Sequence, residues 1–461
     1  MFQRYLGDKA FYRRVLAVAL PIIVQNGITN FVSLLDNIMI GQVGTLQMSG
    51  VAIVNQLLFV FNLCVFGAVS GAGIFTAQFF GSENHDGVRH TFRFKVILGL
   101  LLSLLGILVF LAGGTPLIRL YLQGEGAPAD IAQTLSFGWD YLTVMLWGLP
   151  AFALSTAYSS TLREGNQTLV PMAAGISAVV INLLLNYLLI FGHLGLPAMG
   201  VRGAALATVI ARYCELIIVG GWTHLNRAKN PFIRGAYHSL HIPGHLLRQI
   251  ILKGMPLLIN EALWSIGMAM LNQSYSTRGL DVVAAQNISS TLYNLSSVVF
   301  LSMGNAVGII MGQMLGAGRS ETEVRDHNRK LMVTSVLSCL IFGGLMAAIS
   351  GLFPQIYNTT DAVRALATRL ILISALLMPF NAYTNACYFT LRSGGQTLIT
   401  FLFDSCYVWA LCVPTAFLLS RFTALPILPL YAICHGLDIL KCAVGAWMVH
   451  RGKWIQNLAL Q

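Results

Sequence analysis

Thr161–Leu169 reads TLREGNQTL and Thr390–Leu398 reads TLRSGGQTL, identical at 7 of 9 positions and displaced by 229 residues. Pro150 and Pro379 keep the same displacement. Upstream, Gly73, Gln78 and Gly81 form a G-x4-Q-x2-G pattern that returns as Gly308, Gln313 and Gly316, now displaced by 235, as are Pro21 and Pro256. Near the ends of the two copies, Val219-Gly220-x-Trp222 matches Val444-Gly445-x-Trp447 at 225. The displacement falls steadily, as shorter loops in the second copy would produce. The chain is an internal duplication.

What is duplicated follows from composition. Of the 461 residues 56% are hydrophobic and only 10% are charged, against roughly 25% charged in a soluble domain. Mean hydropathy is +0.71. So few polar side chains cannot cover the surface of a soluble globule, and a disordered chain, a coiled coil and a nucleic-acid-binding domain are excluded as well. A bilayer-spanning helix needs about 20 apolar residues, and about twelve such stretches occur, from 12–38 through 94–112 to 427–449. They are continuous rather than alternating, which excludes a β-barrel. The expected fold is all-α and polytopic, with six helices in each copy. Six is even, so both copies enter the membrane from the same face and form a parallel repeat about an axis along the membrane normal. The expected division is an N-lobe over 1–223, a basic linker over 224–247 and a C-lobe over 248–461.

The net charge of +11 reads as topology. Of the 28 Lys and Arg, 20 fall in the odd-numbered inter-helix segments counted from the N-terminal tail and 6 in the even-numbered ones. Arg212 and Lys441 lie inside helices. That bias places both termini in the cytoplasm of a multi-pass protein of the plasma (inner) membrane. Ala17-Val18-Ala19 resembles a cleavage site, but the apolar run continues to Ile40, which reads as a retained first helix. The 8 cysteines lie in apolar segments without a Cys-x-x-Cys pair and read as small buried hydrophobes. His238, His241 and His245 straddle Pro243-Gly244 and so cannot share a helical face as metal ligands. No nucleotide, metalloprotease or hydrolase motif occurs, so the chain is not an enzyme, and transport must be secondary, without a cofactor.

Several features together resemble one family: Pro21, Asp36, Gly41 and Gly44 in and after the first helix, the glycine–glutamine motif ending the second, L-R-x-G-x-Q-T in each half, Asn182-x3-Asn186, and Gly200-x2-Gly203-Ala-Ala-x-Ala-Thr208. The chain resembles the MATE (multidrug and toxic compound extrusion) family over nearly its whole length. The resemblance implies a twelve-helix, two-lobed monomer that works by alternating access, expelling small cationic amphiphiles through the lipid bilayer in exchange for Na⁺ or H⁺. The superfamily also contains lipid-linked oligosaccharide flippases, whose pyrophosphate substrate would demand several bases in the cleft.

The ionisable groups inside the membrane carry the functional reading, because charge there is costly. Asp36 follows a long apolar run with no Lys or Arg within a helical turn, so it must either take up a proton or hold a cation. Asn182 and Asn186 share one face of a helix. With Asp36, the Thr208 hydroxyl and a backbone carbonyl near Ala204 they make an all-oxygen set for a small hard cation. The resemblance implies the same cluster. Some members carry aspartate where this chain has Asn186, and a single carboxylate among neutral oxygens suits Na⁺, with a proton on Asp36 as the alternative. Glu261, five residues after Pro256 and beside Asn260 and Trp264, and Asp404 are candidates for substrate binding or a second coupling site. Trp147, Trp264, Tyr293 and Tyr383 are candidates to hold organic cations by cation–π contact. Pro21 and Pro256 are the expected hinges. Arg212 with Glu215, and Asp438 with Lys441, stand three apart, which favours local ion pairs.

Overall fold

The computed structural model describes residues 5–122, 128–357 and 359–460, leaving aside the side chains of Val32, Ser33, Leu34, Asn37, Ile38, Tyr121 and Leu280. Twelve helices are long and apolar enough to cross a membrane. They are α1 (Lys9–Gly41), α2 (Thr45–Gly81), α3 (His85–Tyr121), α4 (Pro128–Glu164), α5 (Leu169–Phe191), α6 (Gly200–Leu225), α7 (Gly244–Ser276), α8 (Leu280–Gly316), α9 (Glu321–Ile349), α10 (Asp361–Ser393), α11 (Thr397–Phe422) and α12 (Ile427–His450). The described residues contain no strand. In hydrocarbon a helix satisfies its backbone groups within one segment, and this apolar sequence leaves little alternative.

The helices are longer than the apolar runs that announce them. The third run begins near residue 94, yet α3 begins at His85, because the Asn84 side chain accepts from Gly87 N at 2.8 Å and caps the first turn. Ser320 caps α9 in the same way through Glu323 N at 3.4 Å. Polar turns therefore extend several helices beyond the apolar window, and connections such as those before α3 and α9 shrink to a few residues.

The chain divides into two compact units. One comprises Val24–Thr76 and Asn84–Ile251. The other comprises Met1–Ile23, Ala77–Glu83 and Leu252–Gln461. Within α1 the division falls two residues after Pro21. The first unit packs its core around Val54, Leu58, Phe61, Leu142, Leu146 and Ala205. The second centres on Leu271, Ala285, Leu370, Val408, Ala416 and Leu430.

The duplication is visible in local geometry. α2 and α8 each span 37 residues. Their terminal glycine–glutamine motifs meet inside the second unit: a Cβ on Gly81 would collide with the Gln313 backbone, and a Cβ on Gly316 with the Gln78 backbone. Only glycine allows this reciprocal crossing. Gln78 Nε2 donates to Ser393 O at 2.9 Å, and Gln313 Oε1 accepts from Arg14 at 3.1 Å. The two copies also differ. α4 is interrupted by a 3₁₀ turn at Leu146–Gly148, just before Pro150, whereas α10 runs unbroken through Pro379. α11 widens into π-helical turns at Leu402–Cys406 and Val408–Cys412, which α5 lacks.

The segment between α6 and α7 is docked rather than loose. Arg93 donates to three of its carbonyls: Ala236 at 2.7 Å, Gly235 at 2.8 Å and His241 at 3.0 Å. Phe232 is buried against Phe92, and Tyr158 bonds Tyr237 at 2.5 Å and His224 at 2.9 Å.

Candidate ion and substrate site

Three helices of the first unit build the site around Asp36. α5 ends on Gly192, whose positive φ of 75° turns the chain back. α6 then begins with Gly200 and Gly203, and a Cβ on Gly203 would lie 2.6 Å from the Leu189 carbonyl oxygen. That tight α5–α6 hairpin puts Asn182, Asn186 and Thr208 side by side. α1 brings Asp36 across: Asn186 Nδ2 donates to Asp36 Oδ1 at 2.7 Å. The Asn182 amide fits its neighbours best with its nitrogen toward Asp36, 3.1 and 3.0 Å from the two carboxylate oxygens, and its oxygen 3.2 Å from Thr208 Oγ1. Thr208 Oγ1 donates to Ala204 O at 3.0 Å. All five residues expected to form the cluster are therefore in contact. No base among the described residues lies within ion-pair distance of Asp36.

In this arrangement two amide N–H groups face the carboxylate. Asn186 Oδ1 is left buried without a partner among the described residues, in a side chain only 1% exposed. A buried unmatched acceptor is costly. Rotation of the amides would turn neutral oxygens toward the carboxylate, and with Thr208 Oγ1 this donor set matches a small hard cation. The cluster lies on a cavity of about 350 Å³ within the same unit, lined among others by Asp36, Asn55, Tyr141, Asn186, Thr208 and Arg212.

The second unit holds a different polar centre. Lys441 Nζ lies 2.6 Å from Asp404 Oδ1, with the two side chains 11% and 19% exposed. Asn260 Nδ2 donates to Asp404 Oδ2 at 3.0 Å. Asn260 Oδ1 accepts from Ser405 N at 3.2 Å and from Ser405 Oγ at 2.7 Å. The π-helical turn releases backbone N–H groups from the ordinary ladder, and α7 supplies the acceptor that holds one of them. Glu261 is the neighbour of this centre, within the electrostatic reach of Asp404 and Arg392. Trp264 and Tyr293 are not part of it. Trp264 is 40% exposed, and Tyr293 accepts from Asn381 at 3.1 Å. Trp147 is 74% exposed and is not among the residues lining the cavity of its unit.

Both expected local ion pairs are corrected. Lys441 pairs with Asp404 on α11 and not with Asp438. Arg212 forms no ion pair with Glu215; its guanidinium lies 4.4 Å over the Phe152 ring, while Glu215 acts on Arg163. Three-residue spacing brings side chains near each other, but a carboxylate or ring on a packed neighbouring helix wins when it offers better desolvated geometry. Sequence reasoning also missed a buried pair: Lys95, with no side-chain exposure, meets Glu164 at 2.5 Å. The signal was present in the glutamate that replaces serine in TLREGNQTL. Gly73 leaves room for that carboxylate, which a Cβ there would strike.

Comparison with known proteins now bears on this architecture. The family model described as MatE matches residues 21–188 and 256–418. The chain belongs to the MATE family. The matched blocks begin at Pro21 and Pro256, which are equivalent in the repeat. The probable multidrug resistance protein NorM of Thermotoga maritima is 25% identical, with 100% of this chain and 97% of that protein covered. The NorM of Pasteurella multocida is 27% identical over 98% and 92%. A solved outward-facing multidrug resistance MATE transporter shares the fold at a TM-score of 0.86 and 16% identity, over 97% of this chain and 98% of that one. The chain is thus a multi-pass membrane transporter and not an enzyme.

Proposed function

We propose that this MATE transporter is a secondary multidrug antiporter that exports organic cations in exchange for Na⁺ or H⁺, with Asp36 as the coupling carboxylate. The observation that carries the reading is the cluster of Asp36, Asn182, Asn186 and Thr208, of which Asp36, Asn186 and Thr208 line a cavity: a carboxylate among neutral amides and a hydroxyl, with no base within ion-pair distance among the described residues, open to a chamber of drug size. An incoming ion and an organic cation compete for one negative charge, and that competition is the coupling. Exchange needs the ion to change drug affinity by a few kcal/mol. We place the protein in the inner membrane with cytoplasmic termini, on the loop charge bias, and take it to act as a monomer. We assign the buried Asp404–Lys441 pair a structural role and leave Glu261 as the second-unit candidate for cation contact. The flippase alternative needs a cluster of bases for a pyrophosphate, and the cavity has a single arginine, Arg212.

The test is dye efflux from proteoliposomes under a sodium gradient alone and a proton gradient alone. Uphill efflux under one of them supports antiport and names the ion. Efflux that needs neither would overturn the proposal.

A further inference from the structure

The segment after α12 repeats a device of the first half and then exceeds it. In the first unit the chain after α6 is pinned by Gln167, whose Nε2 donates to Lys229 O at 3.2 Å, and by Arg89, whose Nε donates to Phe232 O at 3.3 Å. In the second unit the chain after α12 is pinned by Gln396, whose Nε2 donates to Lys453 O at 3.2 Å, and by Arg325, whose Nη1 donates to His450 O at 2.8 Å. Gln167 and Gln396 are equivalent in the repeat. Arg89 and Arg325 each occupy the fifth position of the third helix of their half. A buried aromatic ring anchors each segment, Phe232 in the first and Trp454 in the second. Each copy therefore ends in a strap pinned across its own helices.

The second strap continues past its anchor. Gln456 O accepts from Gln78 Nε2 at 3.1 Å, Leu458 N donates to Gln78 Oε1 at 2.6 Å, and Asn457 Nδ2 donates to Gly316 O at 3.3 Å. Gln78 lies in the last turn of α2, a helix of the first copy, and Gly316 ends α8. The tip of the strap thus ties together the two helix ends that cross through Gly81 and Gly316. Gln313, the counterpart of Gln78, bonds Arg14 of α1 instead. Gln78 is fully buried, and among the described residues its Oε1 accepts from Leu458 N alone. Without the tip that carbonyl would be buried and unmatched, which is costly. α2 belongs to the first unit up to Thr76 and to the second from Ala77 onward. A change in the course of its last turn must break the bonds that Gln78 makes with the tip.

We propose that residues 455–460 are a latch: docked on Gln78 they hold the ends of α2 and α8 crossed, and they come away when the transporter opens on that side of the membrane, while Lys453 and Trp454 stay anchored. The proposal rests on the alternating-access antiport reading and adds a moving part to it.

The test uses the full-length chain in proteoliposomes. Leu458→Cys keeps the backbone N–H and places a thiol at a position that is 4% exposed. Its alkylation by N-ethylmaleimide is read by mass spectrometry of the peptide that contains it, so the native cysteines do not interfere, and the rate reports the opened fraction. Ala236→Cys, buried in the first strap, reports general loosening, and ethidium efflux is recorded in the same vesicles. Ion-driven efflux is expected to raise the rate at 458 at least about tenfold over resting vesicles, roughly 1.4 kcal/mol of lost protection, and to leave the rate at 236 unchanged. Gln78→Leu in the Leu458→Cys background should give a similar rise at 458 at rest. A rate at 458 that stays within about twofold of rest during efflux would overturn the latch and leave antiport standing. An equal rise at 236, in turnover or with Gln78→Leu, would overturn it as well. If the parent chain shows no efflux under either ion gradient, the antiport reading falls, and the latch falls with it.

Discussion

Replacing Lys441 with methionine removes the cation that faces Asp404 at 2.6 Å, in a pair whose side chains are 11% and 19% exposed. Breaking a buried ion pair by deleting one partner costs about 3–5 kcal/mol, because the remaining charge is left uncompensated. Asn260 still donates to the other Asp404 oxygen at 3.0 Å, and a hydrogen bond to a charged group is worth about 1.5–3 kcal/mol. We therefore expect a loss near the lower end, about 3 kcal/mol, for Lys441→Met. The double change Lys441→Met with Asp404→Leu should recover most of that loss, since an apolar pair of similar volume is often neutral or better. Equilibrium unfolding of the four proteins in bicelles closes a double-mutant cycle. A single variant within about 1 kcal/mol of wild type, or a double variant less stable than the single, would refute the reasoning.

Two other outcomes follow from packing. Gly316→Ala places a Cβ against the Gln78 backbone. It should destabilise by about 1–3 kcal/mol and slow dye efflux, while alanine at Gly344 of α9, where nothing lies within 4 Å, should leave efflux unchanged; equal effects would sink the crossing argument. Arg93→Gln removes the cation that gathers the carbonyls of Gly235, Ala236 and His241, so amide exchange over 235–241 should rise at least tenfold, by about 1.4 kcal/mol of lost protection. Unchanged exchange there would mean that Phe232 and Tyr158 hold the segment without it.

The legible part of this protein was the part written in local pattern. Long apolar runs can do little else in lipid than form helices, and the motif at Thr161 recurring at Thr390 exposed the repeat directly. The contacts around Asp36 were legible too, because Asn182 and Asn186 lie one turn apart and Asp36 is an acid where acids are expensive. The remaining features depend on what a neighbouring helix supplies. The first π-helical turn of α11 presents Ser405 N to Asn260 on α7, and no spacing within α11 announces that contact. Lys441 on α12 reaches Asp404 on the neighbouring α11 with its flexible stem, whereas the three-residue rule pointed to Asp438. Arg212 similarly lies on Phe152 instead of meeting Glu215. The helix ends were misjudged for a simpler reason: caps such as Asn84 and Ser320 prolong helices into polar sequence that a hydropathy reading counts as loop.

The most direct test of ion coupling is Asp36→Asn in proteoliposomes, followed with an organic-cation dye and an imposed ion gradient. The substitution keeps the size of the side chain and removes its charge. Loss of gradient-driven uphill efflux in a variant that folds and reconstitutes as well as wild type is the predicted result. Uphill efflux at the wild-type rate by Asp36→Asn would contradict the assignment of coupling to that carboxylate.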